Sequence, residues 1–490
     1  MADKKAIRIR AALIVFVFAA MLLFFERAHP LVILDADDWT YIAASRAALP
    51  SRRFWNPARV LPEILMPYAS NLAVLLFRPL GFISSITAMN GLVLSLFITW
   101  YVFCFYRLLT NRLALRETAA ALLSVLFLLL HFLIFRLEAQ NNDYLFRARD
   151  VTCVYYYTIP GLLNSGLVMR LMTAGEHRAA LEKENALRTG FLALAAYLAV
   201  FSNLFESVIL AAYCGLDFLF ALIRDRKTDR CAFLRAQAFN LAVLLLWALS
   251  VFMEGGGERA ESANTLPFFY SAGLCLRALL LQATLMNRVF LLLAALSLAV
   301  GVYLAVAERK EKDGAFSPLF LRFVLLTVLC AVFEILLCAK VQITYIGRCD
   351  ALFVVYAAFL ALLTLSLGAL VRKKERLIAA LPLLLVLVFS LTSTGLRTFM
   401  ESNDLYAPAR VCTALGNDLV DQIVEADRAG ETEVAVFVVD SGSEDNWPQT
   451  LYMGPRVAAS LFKHGLTEKL MTVRIVPDRA VNERLHVMCD

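Results

Sequence analysis

Charged residues are scarce in this chain: Asp, Glu, Lys and Arg make up 18% of its 490 residues, against about 25% in an average soluble protein. Hydrophobic residues account for 60%, where about 45–50% is usual. They fall in repeated apolar blocks of roughly 16–22 residues, which are long enough to cross about 30 Å of hydrocarbon as helices. The composition excludes an ordinary soluble protein and predicts an α-helical polytopic membrane protein.

The signatures of several site classes are also missing. The ten cysteines include no CxxC pair and no metal-type spacing with the five histidines. The glycine-rich turn Glu254–Arg259 lacks the Gly-Lys-Ser/Thr of a nucleotide-binding loop. Basic residues are dispersed over loops, which argues against nucleic acid as a partner. We therefore expect no cofactor, while a divalent metal stays open. The sequence leaves open whether Cys412 and Cys489 in the polar tail form a pair.

Eleven membrane spans are predicted from the apolar blocks, and the first is expected to be retained because no small-residue cleavage site follows it. Segments 60–80 and 268–283 are more interrupted and are interpreted as interfacial helices. The predicted spans are 11–25, 84–108, 117–136, 151–172, 189–202, 204–223, 236–253, 286–306, 318–338, 350–371 and 377–393.

Lysine placement orients these spans. With the N-terminus in the cytoplasm, the outer loops between spans hold only Lys340, as the positive-inside rule requires. An odd number of spans then places the C-terminal tail outside. The inner loops hold Lys4, Lys5, Lys183, Lys227, Lys310, Lys312, Lys373 and Lys374.

Arginine does not follow the same bias. Guanidinium groups form bidentate contacts with phosphate oxygens, so arginines on the outer face indicate an anionic ligand there. The arginines that map to this face are Arg46, Arg52, Arg53, Arg59, Arg147, Arg149, Arg259 and Arg348.

The character of the chain changes near residue 400. Segments 407–426 and 456–470 have helical periodicity, while 433–439 and 471–476 are apolar runs typical of buried strands. We therefore divide the chain into a membrane domain, 1–395, and a small extracytoplasmic α/β domain, 396–490.

Three carboxylates, Asp35, Asp37 and Asp38, lie within four residues directly after the first span. One of them could simply cap the helix that follows, but a cap does not explain three. Because carboxylates at a helix N-terminus are kept ionised by the helix dipole, one could also serve as the general base for a hydroxyl substrate. Asp37 and Asp38 are the candidate catalytic pair, and Asp35 a candidate substrate ligand.

Further candidate ligands follow in the outer loops. In each case a structural alternative stays open: an aromatic belt with snorkelling arginines for the first loop, a solvated connector for 138–150, a buried hydrogen bond for Glu206 and an interfacial anchor for Arg348. Glu206 is notable because an ionisable group at membrane depth is a candidate functional residue. The predicted substrate-binding residues, besides Asp35, are Tyr41, Arg52, Arg53, Arg59, Asn142, Asp143, Arg147, Tyr156, Glu206, Arg259, Tyr345 and Arg348.

Taken together, these features resemble bacterial membrane glycosyltransferases of the GT-C type, and most closely the polytopic O-antigen glucosyltransferase-like group. The likeness extends over the membrane region. Asp35 makes the acidic cluster richer than the simple pair of that pattern. The residues that carry the resemblance are Asp37-Asp38-Trp39 with Tyr41, Tyr155–Pro160, Asn203 with Glu206, and Tyr345 with Gly347-Arg348.

The resemblance implies a polyprenyl-phosphate-linked sugar as donor and a surface glycan of the O-antigen or lipopolysaccharide kind as acceptor, at the outer face of a bacterial inner membrane. It implies inverting transfer, with Asp37 as base and arginines that stabilise the departing phosphate. Two alternatives remain: a transporter or flippase of lipid-linked glycan, and a non-catalytic assembly subunit. A transporter favours repeated halves and polar residues near the midplane, whereas here the unusual polar residues fall on one face.

Overall fold

The computed structural model describes residues 2–50, 55–137, 142–174, 186–224, 229–255, 265–309, 314–394 and 399–487. Helices dominate, and within these ranges ten of them are long and apolar enough to cross a membrane. The chain is thus a multi-pass helical membrane protein.

The first half of the chain is a series of apolar helices joined by short polar segments. The first helix is extended by a π-helical turn, Phe24–Ala28, and the sixth follows a short helical turn, Val151–Cys153, and a second π-helical turn, Val154–Thr158. In chain order the helices are α1 (Ala2–Leu23), α2 (Ala36–Ala43), α3 (Val60–Phe77), α4 (Phe82–Asn111), α5 (Glu117–Leu133), α6 (Ile159–Ala174), α7 (Ala186–Val200) and α8 (Leu204–Arg224).

The second half continues in the same way up to residue 393. Two 3₁₀ turns, Ile343–Gly347 and Glu375–Ala380, connect the last helices of this series. The helices are α9 (Arg230–Ala236), α10 (Ala238–Gly255), α11 (Phe268–Gln282), α12 (Arg288–Glu308), α13 (Phe316–Lys340), α14 (Phe353–Lys373) and α15 (Leu381–Ser393).

Ion pairs identify the two ends of this helical bundle. At one end Arg10 of α1 binds Glu117 of α5 at 2.7 Å, and Arg116 binds Glu375 at 2.7 Å. At the other end the segment after α1 meets the segment that precedes α6, because Asp38 accepts a hydrogen bond from Thr152. We call this second end the acidic end. The segments around α1, α5 and α6 therefore alternate between the two ends, as the lysine distribution predicts for this part of the chain.

The helix α3 departs from this alternation. Together with the turn that ends at Leu80 it is long and apolar enough to cross a membrane, but both of its ends lie at the acidic end. Near its start, the amide of Leu61 donates to the carbonyl of Phe201 at 3.4 Å. Just beyond its end, the Phe82 ring stacks on Trp39 of α2 with 6.1 Å between centroids. These contacts are those of a helix that lies along one end of the bundle.

The predicted spans and the ten long apolar helices do not coincide one to one. The predicted spans 117–136 and 189–202 correspond to shorter helices, Glu117–Leu133 and Thr189–Val200. The predicted span 151–172 is divided between two short turns and the 16-residue α6, which is not among the ten. Conversely, α11 with its following turn is long enough to span, although the sequence predicts an interfacial helix there. Its last turn reaches the acidic end, where Gln282 donates to the carbonyl of Gly347 at 3.1 Å.

The core of the bundle is built around α4, α6 and α14. In α14, 83% of the apolar stretch is buried inside the protein, and α6 is buried along most of its length. Close approach of α4 and α6 depends on Gly166, because a Cβ atom there would lie 2.3 Å from the Trp100 ring. A small residue is needed where two apolar helices pack this tightly.

The tail contains two strands and two helices near the segments that its sequence pattern predicts, but the second helix ends at Lys463 instead of residue 470, and the third helix, Arg479–Leu485, is not predicted. The strands β1 (Glu433–Val438) and β2 (Thr472–Pro477) pair in parallel, with Glu433 opposite Thr472, and the helices are α16 (Ala409–Arg428), α17 (Gly454–Lys463) and α18 (Arg479–Leu485). The tail packs on the acidic end, where the amide of Ala36 donates to the carbonyl of Pro448 at 3.1 Å. The tail therefore forms part of the surroundings of the acidic loop.

We predict that Gly166→Ala destabilises the bundle by about 1–3 kcal/mol, since the added methyl group overpacks the contact with Trp100. Gly190→Ala in α7 is the matched control, because a Cβ atom there meets nothing within 4 Å and alanine favours the helix by about 0.5–1 kcal/mol. Thermal unfolding of both purified variants in detergent provides the comparison. Equal melting temperatures would contradict the packing argument.

Candidate functional site

Asp38 attaches the acidic loop to the rest of the bundle. One carboxylate oxygen accepts from the Thr152 amide and hydroxyl, both at 2.7 Å. The other accepts from the amides of Leu34 at 3.0 Å and Asp35 at 3.4 Å. The residue is 1% exposed. Asp38 is thus a buried carboxylate whose oxygens are fully engaged, and its geometry suits positioning of the loop.

Asp35 and Asp150 are buried beside it. Asp35 occupies the N-cap position of α2, and Asp150 caps the turn at Val151–Cys153 by accepting from the Cys153 amide. Burial, followed by the neighbouring carboxylates Asp150 and Asp38, raises the pKa of Asp35. Burial likewise raises the pKa of Asp38 to about 6, and burial with the charge of Asp38 raises that of Asp150 to about 7. Three acids therefore share one poorly solvated region.

Asp37 lies apart from this buried group. Its side chain is 47% exposed and pairs with Arg456 of α17 at 3.2 Å. The guanidinium of Arg456 also lies over the Tyr452 ring, 5.1 Å from its centroid. Of the three acids in the loop, Asp37 is the one whose carboxylate a solvent-borne hydroxyl group can reach.

A polar cavity of about 320 Å³ opens at the same end of the bundle. Three guanidinium groups face three carboxylates in it. Four of the predicted substrate ligands, Asp143, Arg147, Tyr345 and Arg348, are brought together here. The complete lining is Asp143, Arg147, Arg149, Gln342, Thr344, Tyr345, Gly347, Arg348, Cys349, Asp350, Asp404 and Tyr406.

Arg348 is the most constrained cation of this cavity. It binds Asp350 at 2.6 Å, donates to the Cys153 sulfur at 3.1 Å, and lies 4.9 Å and 5.2 Å from the ring centroids of Tyr157 and Tyr345. Burial acts to lower the pKa of Arg348, but the charge of Asp350 outweighs it and raises the pKa overall. The guanidinium group therefore stays charged and is fixed in orientation.

The other two arginines are also paired. Arg149 binds Asp404 at 2.6 Å, and Arg147 lies 3.6 Å from Asp143. An anion that enters the cavity must therefore replace, or add to, carboxylate partners already in place. The cavity offers directional hydrogen-bond donors, with most of its positive charge balanced by carboxylates.

Contacts connect the acidic loop to the cavity along two routes. On one side Asp38 holds Thr152, and the adjacent Cys153 contacts Arg348. On the other side Asp404, at the cavity wall, accepts from the Trp447 indole at 2.6 Å, and the neighbouring Pro448 carbonyl binds the first residue of α2. The acidic loop, residues 142–150 and Arg348 therefore lie at the same end of the bundle.

A second polar cluster lies beside the cavity and involves Tyr41, Arg59 and Tyr156. Arg59 forms a two-pronged contact with Glu254, with its Nε at 2.8 Å. The Tyr156 hydroxyl donates to Glu63 at 3.4 Å, and its ring packs against Tyr41 at 5.1 Å. Among the described residues, Glu254 does not line the cavity and contacts this cluster through Arg59; residues 256–259 of the glycine-rich turn lie outside the described ranges.

The other predicted site residues lie outside the described ranges, near the cavity wall or away from the cavity lining. Arg52, Arg53 and Arg259 lie outside the described residues, as does Cys489. Asn142 is near the cavity wall, where its carbonyl accepts from the Met400 amide at 3.2 Å. Glu206 is fully buried and does not line the cavity, although the ring of the adjacent Phe205 packs against Tyr345 of the cavity wall with 5.4 Å between centroids. Within the described ranges, no group of three or more His, Cys, Asp or Glu residues is arranged to hold a metal ion.

Sequence reasoning missed Asp404, Tyr406 and Arg456. All three belong to the tail or its start, and their partners lie far away in the chain: Asp404 is 255 residues from Arg149, and Arg456 is 419 residues from Asp37. No local pattern marks such long-range pairs. A composition shift near residue 400 signals only that a new segment begins.

We predict that Asp38→Asn is more destabilising than Asp37→Asn. An amide at position 38 would direct its NH₂ group at backbone and hydroxyl donors, and an unsatisfied buried polar group costs about 1–3 kcal/mol. Asp37→Asn should change stability by less than about 0.5 kcal/mol, because exposed ion pairs contribute little. Thermal unfolding of the two purified variants measures the difference, and the reverse order would refute the positioning role of Asp38.

We also predict that stability falls as pH rises from about 4 to about 7. In the folded protein Asp38 and Asp150 keep a proton up to pKa values of about 6 and about 7, above their ordinary 3.8. The unfolded chain therefore binds fewer protons than the folded chain in this window, and linkage makes stability decrease with pH. Melting temperatures across this range provide the measurement.

Asp150→Asn is the matched variant for this pH dependence. Asparagine still caps the following turn but does not titrate, so the decline of its melting temperature with pH should be shallower than in the wild-type protein. An identical decline in both proteins would show that Asp150 does not carry the effect.

Comparison with known proteins gives no relative for this chain: no protein-family model, no curated protein and no solved structure matches it. A proposal for the function therefore rests on the residues of the acidic end.

Proposed function

We propose that the protein is a membrane glycosyltransferase of the GT-C type. It moves a sugar from a polyprenyl-phosphate-linked donor to a cell-surface glycan of the O-antigen or lipopolysaccharide kind. In this proposal the acidic end faces the extracytoplasmic side of a bacterial inner membrane, the N-terminus is cytoplasmic and the tail is outside. The observation that carries it is the arginine-lined cavity at the same end of an apolar bundle as the acidic loop.

The cavity suits the phosphate of the donor. Arg348 presents a planar, charged donor group that Asp350 and two tyrosine rings hold in one orientation, and a guanidinium group donates directional hydrogen bonds to phosphate oxygens. A fixed positive charge aimed at a leaving phosphate stabilises the negative charge that develops as the glycosidic bond breaks.

The acidic loop suits the acceptor. In an inverting displacement the acceptor hydroxyl oxygen bonds to the anomeric carbon, its proton passes to a carboxylate, and the bond to the phosphate oxygen breaks with its electron pair leaving on the phosphate. Asp37 is the accessible carboxylate of the loop, which supports it as this base. Asp38 then acts as a positioning residue, since its oxygens are engaged by Thr152 and backbone amides.

One observation favours the transporter alternative. Glu206 of α8 and Glu334 of α13 are both 0% exposed and lie in helices long enough to span the membrane. Ionisable groups at membrane depth are typical of transport pathways and proton relays. A flippase would move the lipid-linked glycan without cleaving the sugar–phosphate bond, so product analysis distinguishes the two functions.

We predict that Asp37→Asn lowers sugar transfer by about 10²–10⁴-fold, which is the usual contribution of a general base. The assay incubates the purified protein with candidate polyprenyl-phosphate sugars and an acceptor glycan, and it follows both the glycan product and the released polyprenyl phosphate. Asp421→Asn, an exposed carboxylate of α16, is the matched control and should retain full transfer.

Near-normal transfer by a well-folded Asp37→Asn variant would remove Asp37 from the mechanism. Absence of released polyprenyl phosphate from the wild-type protein with every donor offered, together with movement of the donor across a bilayer, would favour the flippase.

A further inference from the structure

A second cavity, separate from the arginine-lined one, lies between the end of α3 and the end of α17. Its volume is about 510 Å³. The polar residues that matter in its wall are Arg78, Lys463 and His464, with Asn71 and Ser85 nearby, while Phe82 contributes an apolar surface. None of these residues has a role in the proposed sugar transfer.

The cavity is cationic and carries an unused hydrogen-bond acceptor. Arg78 is exposed, and within the described ranges its guanidinium is engaged by no carboxylate. The Lys463 ammonium lies at the same wall and contacts the Ala43 carbonyl and the Ser45 hydroxyl at the end of α2. Two positive groups thus face one cavity with no acidic residue in its lining.

His464 defines the chemistry of the ligand further. Its Nδ1 lies 2.8 Å from the Ser460 carbonyl, to which it donates when the ring is neutral. Nε2 is then a buried acceptor without a partner among the described residues. Burial lowers the pKa of His464, which keeps the ring neutral near pH 7. A ligand with a hydroxyl donor close to its negative charge would satisfy this nitrogen.

The surroundings are those of a membrane surface. The adjoining part of α3 exposes Leu72, Leu75 and Leu76 at 45%, 76% and 57%. Because α3 lies along the acidic end, these leucines form the side where hydrocarbon is expected, and Leu75 also lines the cavity. Basic groups at the edge of an exposed apolar helix are the arrangement that holds anionic lipid head groups.

We propose that this cavity binds the head group of a phosphate-bearing lipid. The phosphate lies between Arg78 and Lys463, a head-group hydroxyl donates to His464 Nε2, and the hydrocarbon chains lie along the leucines of α3. Two lipids have this chemistry: a bilayer phospholipid such as phosphatidylglycerol, and a polyprenyl phosphate in its singly protonated form. The site does not depend on the proposed sugar transfer.

The test measures lipid retention by the full-length protein. The protein is placed in phosphatidylcholine nanodiscs doped with phosphatidylglycerol, extracted into detergent, and the retained lipid is quantified by mass spectrometry. Each basic residue near a membrane surface contributes roughly a five-fold effect on anionic lipid binding. Arg78→Gln and Lys463→Gln should therefore each lower phosphatidylglycerol retention about five-fold. His464→Phe, which keeps the ring contact with Phe82 but removes the acceptor, should also lower it.

Arg410→Gln and Lys469→Gln are the matched controls, since both side chains are exposed on the tail and neither lines the cavity. They should retain as much lipid as the wild-type protein. A competition arm adds polyprenyl phosphate: displacement of phosphatidylglycerol identifies the carrier lipid as the occupant, and failure to displace it identifies the bilayer phospholipid. Unchanged retention in Arg78→Gln and His464→Phe, or equal retention of phosphatidylcholine, would overturn the proposal.

Discussion

The architecture of the acidic end depends on the carboxylate of Asp38. Two of its four hydrogen bonds come from the amides of Leu34 and Asp35 in its own loop, and the two from Thr152 join the start of α2 to the segment that leads into α6. Because the second of these segments also contacts Arg348 through Cys153, one buried side chain sets the relation between the acidic loop and the arginine-lined cavity. Net hydrogen bonds contribute only about 0.5–1.5 kcal/mol each, but a buried acceptor that loses its donors costs more. The interaction is therefore hard to replace by any other side chain.

Burial of so much charge is compensated by pairing at the cavity and by protonation beside it. At the cavity each arginine has a carboxylate partner, and removal of one partner from a buried pair leaves a charge that is expensive to accommodate. The acids Asp35, Asp38 and Asp150 do not each have an arginine partner among the described residues. Their pKa values are raised instead. The two regions adjoin, so a ligand that changes the charge in the cavity also changes the proton affinity of the acids next to it.

The sequence predicts the helical architecture well because span length and apolarity are local properties. The distribution of lysine between loops predicts on which side of the membrane each loop lies. In agreement with that topology for α1 and α5, the ion pair of Arg10 with Glu117 lies at the end opposite to Asp38. The orientation of the acids cannot be predicted in this way. Successive residues of a helix point about 100° apart, so Asp37 and Asp38 face different surroundings, and only the packing decides which of them is buried.

Tertiary contacts between distant segments, like the orientation of the acids, cannot be predicted from the sequence pattern. The tail is recognisable as strands and helices from its own pattern, but its attachment to the acidic loop through Trp447, Pro448 and Arg456 depends on contacts that no local pattern marks. For the same reason Glu206 is an attractive candidate on sequence grounds, since it lies between two apolar runs. Its complete burial follows from the packing of α8 against other helices, which the sequence does not reveal.

The acidic end has a rigid side, with the ion pair of Arg348 and Asp350, and an exchangeable side, with the ion pair of Asp37 and Arg456. The two pairs differ in how easily a ligand can displace one partner. Arg348 and Asp350 are mostly buried, with side chains 20% and 4% exposed, so their pair forms a fixed surface against which a phosphate can be held. Asp37 and Arg456 are 47% and 35% exposed, and a pair in that environment is worth only about 0–1 kcal/mol. A hydroxyl ligand can therefore displace Arg456 from Asp37 at little cost. Because Arg456 belongs to the tail, this displacement would also loosen one contact between α17 and α2. In the proposed transfer, the rigid side would therefore hold the lipid-linked donor, and the exchangeable side would receive an acceptor that enters and leaves in every cycle.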